Sequence, residues 1–449
     1  MLLLKNSNIL TLFISLTLFS LPLYLLRCNK SSYCYSSVPF TFLELLILIT
    51  FFLWFFLKFA KKRNILKIGK EIRSKIPLIL QIIFVVFIFS AGLNILFSPD
   101  KVSSIGFYKA YFIEPFLLFV VIFDYLSEKN NLKRVFWAFL SSSIWISLVS
   151  IFEKLLNYSQ FNALEYASRG RVGAIYQTSN SVGLLVGPVV VLLISYLLYL
   201  RKENKGGIFL GIKETNWVII SLITVLGGLL ASGSRGAWFG VIGSCLFFFG
   251  FVLYKQIQNK FLQKPIKKVF IGLIIVFFSV NIGFLFNINF VIRATNKLSI
   301  NSQVVPRLCL WESAVNIIKE KPLIGSGLGG FATENETHHT CSQEKTTYPH
   351  NIFLNFWLET GIFGLISFVG ICTWFFFNLI SSERLNYLKV GLASVLISLL
   401  FHGLVDVPYL KNDLSAGFWT ILAISLYLVN QDSLFKFVVR RLPPVRFRR

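Results

Sequence analysis

Residues 182–200 read VGLLVGPVVVLLISYLLYL, nineteen positions without a charged side chain. Coiled into a helix at about 1.5 Å per residue, such a run is about 28 Å long, close to the thickness of a bilayer's hydrocarbon core. Similar runs precede it near 9–26, 42–57, 76–97, 111–126 and 135–152, and follow it near 217–232, 237–254, 269–286, 361–380, 390–408 and 414–430. Twelve spans define an all-α polytopic membrane protein. The composition agrees: of 449 residues, 55% are hydrophobic and 14% charged, with mean hydropathy +0.69, whereas a soluble domain carries about a quarter charged residues. A water-soluble globule is excluded. The first run lacks a small-residue cleavage site and reads as a retained helix.

Lys and Arg number 44 against 20 Asp and Glu, a formal charge of +24. In a soluble chain that excess would point to nucleic acid. Here the cations sit in loops between apolar runs, where they orient the chain and meet anionic lipid headgroups, and no RNA- or DNA-binding motif is present. Membrane lipid is the expected partner and nucleic acid is not. Segment 58–75 alone holds eight Lys and Arg, and 127–134, 201–215, 255–268 and the basic tail 436–449 add more. With twelve spans, this asymmetry predicts both termini in the cytoplasm. The six cysteines show no CxxC spacing, so no zinc or thioredoxin-like motif is expected. Cys28 with Cys34 and Cys309 with Cys341 are expected either to pair in an oxidising compartment or to remain thiols.

Between the ninth and tenth spans lies a loop of about 287–360, on the extracytoplasmic side and far longer than the usual connection, hence a functional candidate. Leu308, Trp311, Val315 and Ile318 recur at helical spacing, and Pro322 with Gly325 ends the pattern. A helix over 306–320, lying on or folded over the membrane surface, is predicted. The run Ile324–Gly330 superficially resembles a dinucleotide loop, but no strand precedes it. Its glycines serve a tight turn or a close approach to a ligand instead.

Ionisable groups near hydrocarbon are costly and tend to mark function. Topology assigns a depth to each. Glu114 begins a span that enters from outside, His402 and Asp406 end one that leaves toward outside, and Arg235 occupies the short outer turn Ser232–Gly236. Arg171 and Asn180 precede an inward span, while Arg307 and His350 belong to the long loop. All gather on one face of the bundle. No DxD, HExxH or Cys/His ligand spacing is present, so neither a metal nor another cofactor is called for. Arginines fork onto phosphate oxygens and suit a diphosphate leaving group, and a histidine suits a general base acting on a hydroxyl. His350, in Tyr348-Pro349-His350-Asn351, is the best-placed base. The competing readings are ordinary ones: a loop histidine satisfied by a carbonyl, an Arg235 snorkelling to headgroups, and His402 and Asp406 hydrogen-bonded to each other four residues apart.

The pieces Arg171-Val172-Gly173 with Asn180, Ser234-Arg235-Gly236-Ala237-Trp238, Arg307 with Trp311, Pro322–Gly329, and His350-Asn351 with Gly361 resemble, in order and spacing, the O-antigen ligase and polymerase superfamily across roughly residues 160–370. The resemblance implies a fold of the GT-C type and a metal-independent, inverting glycosyltransferase in the bacterial inner membrane. It would move a glycan from undecaprenyl diphosphate to an acceptor hydroxyl on lipid A core, a protein or another surface molecule. Carried over by motif, His350, Arg235 and Arg307 become catalytic and Arg171, with Asn180 and Asn351, binds diphosphate or glycan; Glu114, His402 and Asp406 join the binding set mainly on the depth argument. The resemblance further suggests transmembrane helices in 1–160, a ligase-like core in 161–380 and two closing spans in 381–435. A polymerase joining repeat units is the alternative within the superfamily. A lipid-linked glycan flippase or transporter is the alternative outside it, disfavoured because the polar set is one-sided and no internal repeat is visible.

Overall fold

The computed structural model describes residues 2–25, 41–62, 64–129, 131–158, 170–204, 206–258, 305–338, 346–382 and 384–441. The expected ninth span 269–286, the loop stretch 287–304, and Cys28, Cys34 and Cys341 lie outside the described residues. Fifteen described helices, numbered in chain order, form the molecule: α1 (Leu2–Phe19), α2 (Phe42–Lys62), α3 (Ile65–Ser74), α4 (Leu78–Leu93), α5 (Lys101–Tyr108), α6 (Glu114–Lys129), α7 (Leu132–Leu155), α8 (Ser179–Lys202), α9 (Glu214–Ser232), α10 (Arg235–Gln258), α11 (Val305–Glu320), α12 (Phe331–His338), α13 (Ile352–Ile380), α14 (Tyr387–Gly403) and α15 (Asn412–Arg441). Among the described residues, one two-stranded hairpin, β1 (Ile208–Phe209) and β2 (Ile212–Lys213), joins α8 to α9. Among the described residues, nine helical stretches are long and apolar enough to cross a membrane, and 8–19 and 387–403 are shorter apolar helices. The all-helical membrane architecture expected from the hydropathy pattern is therefore present.

Helix α8, holding the run quoted first, is the most enclosed of the early spans: Val182, Val186, Val191 and Leu193 have no exposed surface. It packs against α9, α10 and α14. Small residues make this possible. A methyl group added at Gly183 would meet Ser234 at 2.6 Å and Ala237 at 2.8 Å, and one at Gly240 would meet the Ser398 carbonyl at 2.8 Å. In hydrocarbon, where apolar burial gives helices no reason to associate, such close backbone approach supplies the dispersion contact that does.

Helix α13 begins at Ile352, earlier than the expected 361, because Asn351 caps it: its Oδ1 accepts from the Phe353 and Leu354 amides at 3.0 and 3.2 Å. At Gly361 the helix breaks, with φ 69° and ψ 179°. The glycine-rich turn after α11 fills the break. Leu358 O accepts from the Ser326 amide at 2.9 Å, Leu323 O accepts from the Ile362 amide at 3.1 Å, and the Glu359 carboxylate accepts from the Gly329 amide. The glycines are required by protein rather than by a ligand: a Cβ at Gly325 would fall 2.4 Å from Leu358 O, and one at Gly327 would fall 2.6 Å from the Phe97 backbone. Helix α11, expected from its periodicity, buries Leu308, Trp311 and Ile318 against Phe331, Leu354 and Leu358, so it folds onto the start of α13. Cys309 on this helix is disulfide-bonded, while Cys245 and Cys372 are free thiols.

At the end of the bundle away from this loop, α2, α3 and α6 are stapled by charge. Lys58, with 6% of its side chain exposed, lies 2.7 Å from both Asp124 and Glu128, and Trp54 Nε1 donates to Asp124 at 2.9 Å. Glu71, Asp124 and Glu128 are close enough together to hold a cation; the Lys58 ammonium already supplies one.

The wedge of glycines yields the first test. Gly327→Ala should cost roughly 1–3 kcal/mol through overpacking and the left-handed backbone, read as a lower thermal midpoint of the purified protein. An unchanged midpoint would show that the turn does not dock on α13 and the Asn94–Phe97 segment.

Candidate functional site

Beyond α14 the chain turns at Leu404 and Val405, whose amides bond back to Phe401 O and His402 O, and presents Asp406, 3% exposed. Both carboxylate oxygens are engaged. Oδ1 accepts from the Val407 amide at 2.9 Å and lies 3.2 Å from His350 Nδ1. Oδ2 accepts from Asn180 Nδ2 at 3.3 Å. Asn180 Oδ1 in turn accepts from Arg171 Nη2 at 2.7 Å, and Arg171 Nε donates to Ser232 O at 3.0 Å. Residues far apart in sequence thus form one chain of hydrogen bonds, from the histidine to the turn that precedes Arg235.

Burial works against charge on Asp406, yet the His350 hydrogen bond and the neighbouring basic groups His350, His402 and Lys411 prevail and hold its carboxyl below the usual carboxylate range. An ionised carboxylate only accepts, so His350 Nδ1 is the donor, and Nε2 is the ring nitrogen not engaged by Asp406. His350 itself sits at φ 52°, a left-handed conformation uncommon outside glycine. Its ring lies 4.9 Å, edge to face, from Tyr348. Asn351 orients the loop from the other side: besides capping α13, its Nδ2 donates to Leu404 O at 3.3 Å, a contact that positions His350 against Asp406.

Arg235 is the exposed first residue of α10. Gly233, at φ 60°, lets the preceding turn close over the Arg171 side chain, which lies 3.2 Å from where a Cβ would be. Arg171 and Arg235 therefore flank one turn. His402 is 3% exposed, and its Nε2 has no hydrogen-bond partner among the described residues. No hydrogen bond joins it to Asp406; its ring packs on α10, 2.8 Å from the Cβ position of Gly236. Arg307, half-buried in the first turn of α11, is near enough, with Lys411 and Asp406, to act electrostatically on His402.

Glu114 stands apart from this chain, and it lies midway along the continuous helical stretch Lys101–Lys129 rather than at the start of a span, because the helix begins well before the apolar run does. It is 1% exposed, and its contact is Lys109 at 3.8 Å. That lysine pairs with Glu44 at 2.8 Å, and Glu44 accepts from Asn412 Nδ2 at 2.7 Å. Residues 411 and 412 connect the two groups, for Lys411 Nζ donates to Ser181 Oγ at 2.6 Å, one residue from Asn180. Lys411 and Glu153 are the residues that sequence reasoning missed. Glu153 Oε2 accepts from the Ala174 amide at 2.9 Å and so secures the Arg171 loop. Both sit at helix ends, the signal that singled out Asp406.

The depressed Asp406 value fixes the sign of a pH experiment. A group with a lowered folded pKa stabilises the fold above its unfolded value and loses that contribution as pH falls through the folded one. Asp406→Asn should lower stability by about 1–3 kcal/mol, with the gap to wild type constant from pH 8 down to about 4 and closing below. Unfolding midpoints measured across that range check it; a gap that closes between pH 7 and 5 would contradict an ionised, hydrogen-bonded Asp406.

Residues 220–369 match the family model described as O-antigen ligase, Wzy_C. A protein of Haemophilus influenzae, described as an uncharacterized protein, is 25% identical over 303 residues, covering 64% of this chain and 69% of that one. The matched segment contains Arg235, Arg307, the docked glycine turn, His350 and Asn351, while Arg171, Asn180, His402 and Asp406 come from outside it. The match supports a membrane enzyme of the ligase or polymerase type, with lipid-linked glycan and acceptor as its general partners. Residues 220–369 of this polytopic helical membrane protein are thus similar to the O-antigen ligase family, and that similarity is consistent with the O-antigen ligase superfamily.

Proposed function

We propose that the protein is an integral-membrane glycosyltransferase of the ligase branch. It transfers a glycan from undecaprenyl diphosphate to an acceptor hydroxyl at the outer face of the bacterial inner membrane, with both termini in the cytoplasm. The hydrogen-bond chain from His350 through Asp406 and Asn180 to Arg171 is the observation that carries this reading. It joins a histidine oriented through Nδ1 to a permanently charged guanidinium, and in our reading the neutral ring acts as base through Nε2.

The roles follow from the chemistry. His350 Nε2 takes the proton of the acceptor hydroxyl as its oxygen attacks the anomeric carbon from the face opposite the diphosphate, so configuration inverts. Asp406 steadies the imidazolium that forms, as a carboxylate behind a histidine does elsewhere. Arg171, Arg235 and Arg307 receive the negative charge that grows on the departing diphosphate, in a setting of low dielectric where such contacts are strongest. His402 and Lys411 add donors near the same charge.

His350→Ala should lower transfer by about 10²–10⁴-fold while insertion and folding persist; retained turnover removes His350 as the base. The glycolipids of cells lacking the protein decide the reaction. Finished glycan stranded on the lipid carrier, with none on acceptor, is expected. Single repeat units stranded there would make it a polymerase, and donor trapped on the cytoplasmic leaflet would make it a flippase.

A further inference from the structure

The hairpin between α8 and α9 lies at the end of the bundle opposite the candidate site. Helix α9 starts at the hairpin and ends at Ser232, the partner of Arg171; its 19 residues put about 28 Å between them. Ile208 and Phe209 pair with Lys213 and Ile212, and the turn is Leu210-Gly211. Both turn residues have positive φ, 49° and 75°, the type I′ arrangement for which Asn, Asp and Gly are suited and a leucine is not. Three consecutive apolar side chains are largely exposed: Ile208 is 72% exposed, Phe209, beside the Trp217 ring, 66% and Leu210 77%.

This tip is held rigidly. Buried Glu214 accepts from Lys133 Nζ at 2.7 Å, Trp137 Nε1 at 2.9 Å, Tyr196 hydroxyl at 2.8 Å and the Gly207 amide at 3.1 Å. Trp217 Nε1 donates to Phe209 O at 3.1 Å. The hairpin is thus pinned at its base and strained at its tip, with no protein contact at Leu210 large enough to account for the choice of leucine. Around it stand the exposed cations Arg201, Lys202 and Lys213, and Trp137, Tyr196, Tyr199 and Trp217 form the aromatic fringe typical of a membrane interface. Helix α3 repeats the pattern at the same end: Ile68 and Ile72 face the bundle, Ile65 and Leu66 are 59% and 75% exposed, and Lys67, Lys70 and Arg73 are exposed beside them.

We infer that the 208–213 hairpin is a lipid-binding wedge. Its Ile208-Phe209-Leu210 tip inserts at the headgroup and acyl boundary of the leaflet opposite the candidate site, and the flanking cations select anionic phospholipid. The charge complementarity commits the tip to a lipid surface rather than to another protein. Neither the glycosyl transfer nor the roles of His350 and Asp406 bear on it.

The full-length protein carries an environment-sensitive fluorophore at Leu210→Cys, with the labelled parent chain as baseline, in nanodiscs of phosphatidylcholine with or without phosphatidylglycerol. The wedge predicts a blue-shifted emission that is quenched by lipids brominated near the headgroup, more strongly in the anionic discs. Lys213→Gln should raise the phosphatidylglycerol needed for half-maximal quenching about fivefold. Leu210→Asn suits the turn better, so it should keep or raise the thermal midpoint in detergent yet abolish the added stability given by phosphatidylglycerol. Water-like emission in both discs, equal emission in the two, a lower midpoint for Leu210→Asn in detergent alone, or a blue shift in detergent that vanishes on dilution, the mark of a second copy, would each overturn the proposal.

Discussion

Hydrocarbon offers a peptide group no hydrogen bond, so every backbone N–H and C=O at membrane depth must find its partner within the protein, at a cost of several kcal/mol if it does not. Regular helices meet this demand by themselves, and most of the chain consists of them. The informative place is where a helix stops meeting it. At Gly361, α13 departs from helical geometry, and the Ser326 amide, Leu323 carbonyl and Gly329 amide arrive from a distant loop to satisfy Leu358, Ile362 and Glu359. The loop is bound because the helix is broken, and the break is tolerable because the loop is bound.

That mutual dependence carries into the site. The docked turn holds α11 against the first turns of α13 through Trp311, Phe331 and Leu354. Those same turns are capped by Asn351, the neighbour of His350. Arg307 on α11 and His350 before α13 therefore share one rigid support. On the other side, the glycines of α10 let α14 approach until His402 lies on Gly236, which sets the turn bearing Asp406 beside the turn bearing Arg235.

Much of this was legible beforehand, for identifiable reasons. Span positions follow from uninterrupted apolar runs, which need only composition and length, and α11 follows from the spacing of Leu308, Trp311 and Ile318. The convergence of Asp406, Asn180, Arg171 and His350 followed from depth: polar residues at span ends on one side must meet or be costly. Contacts within the membrane plane were not legible. The apolar run suggests that Glu114 starts a span, but the structure sets it midway along the stretch Lys101–Lys129, beside Lys109, which pairs with Glu44. The start of α13 was misread by nine residues because a glycine within an apolar run looks like a boundary, whereas here the helix passes through it with partners supplied from outside. Lys411 escaped notice because a lysine in a short loop resembles any solvated charge until Ser181 is seen against it.

The left-handed backbone of His350 carries a consequence for how this position can vary. Its φ of 52° would be relaxed by glycine, and eased by asparagine, at a saving of order 1 kcal/mol. Drift under selection for stability alone would therefore erode the imidazole. The histidine present there is held against the preference of its own backbone by the cap of Asn351 and the grip of Asp406. Mutations that loosen either partner would be felt twice, once as lost alignment and once as strain no longer opposed.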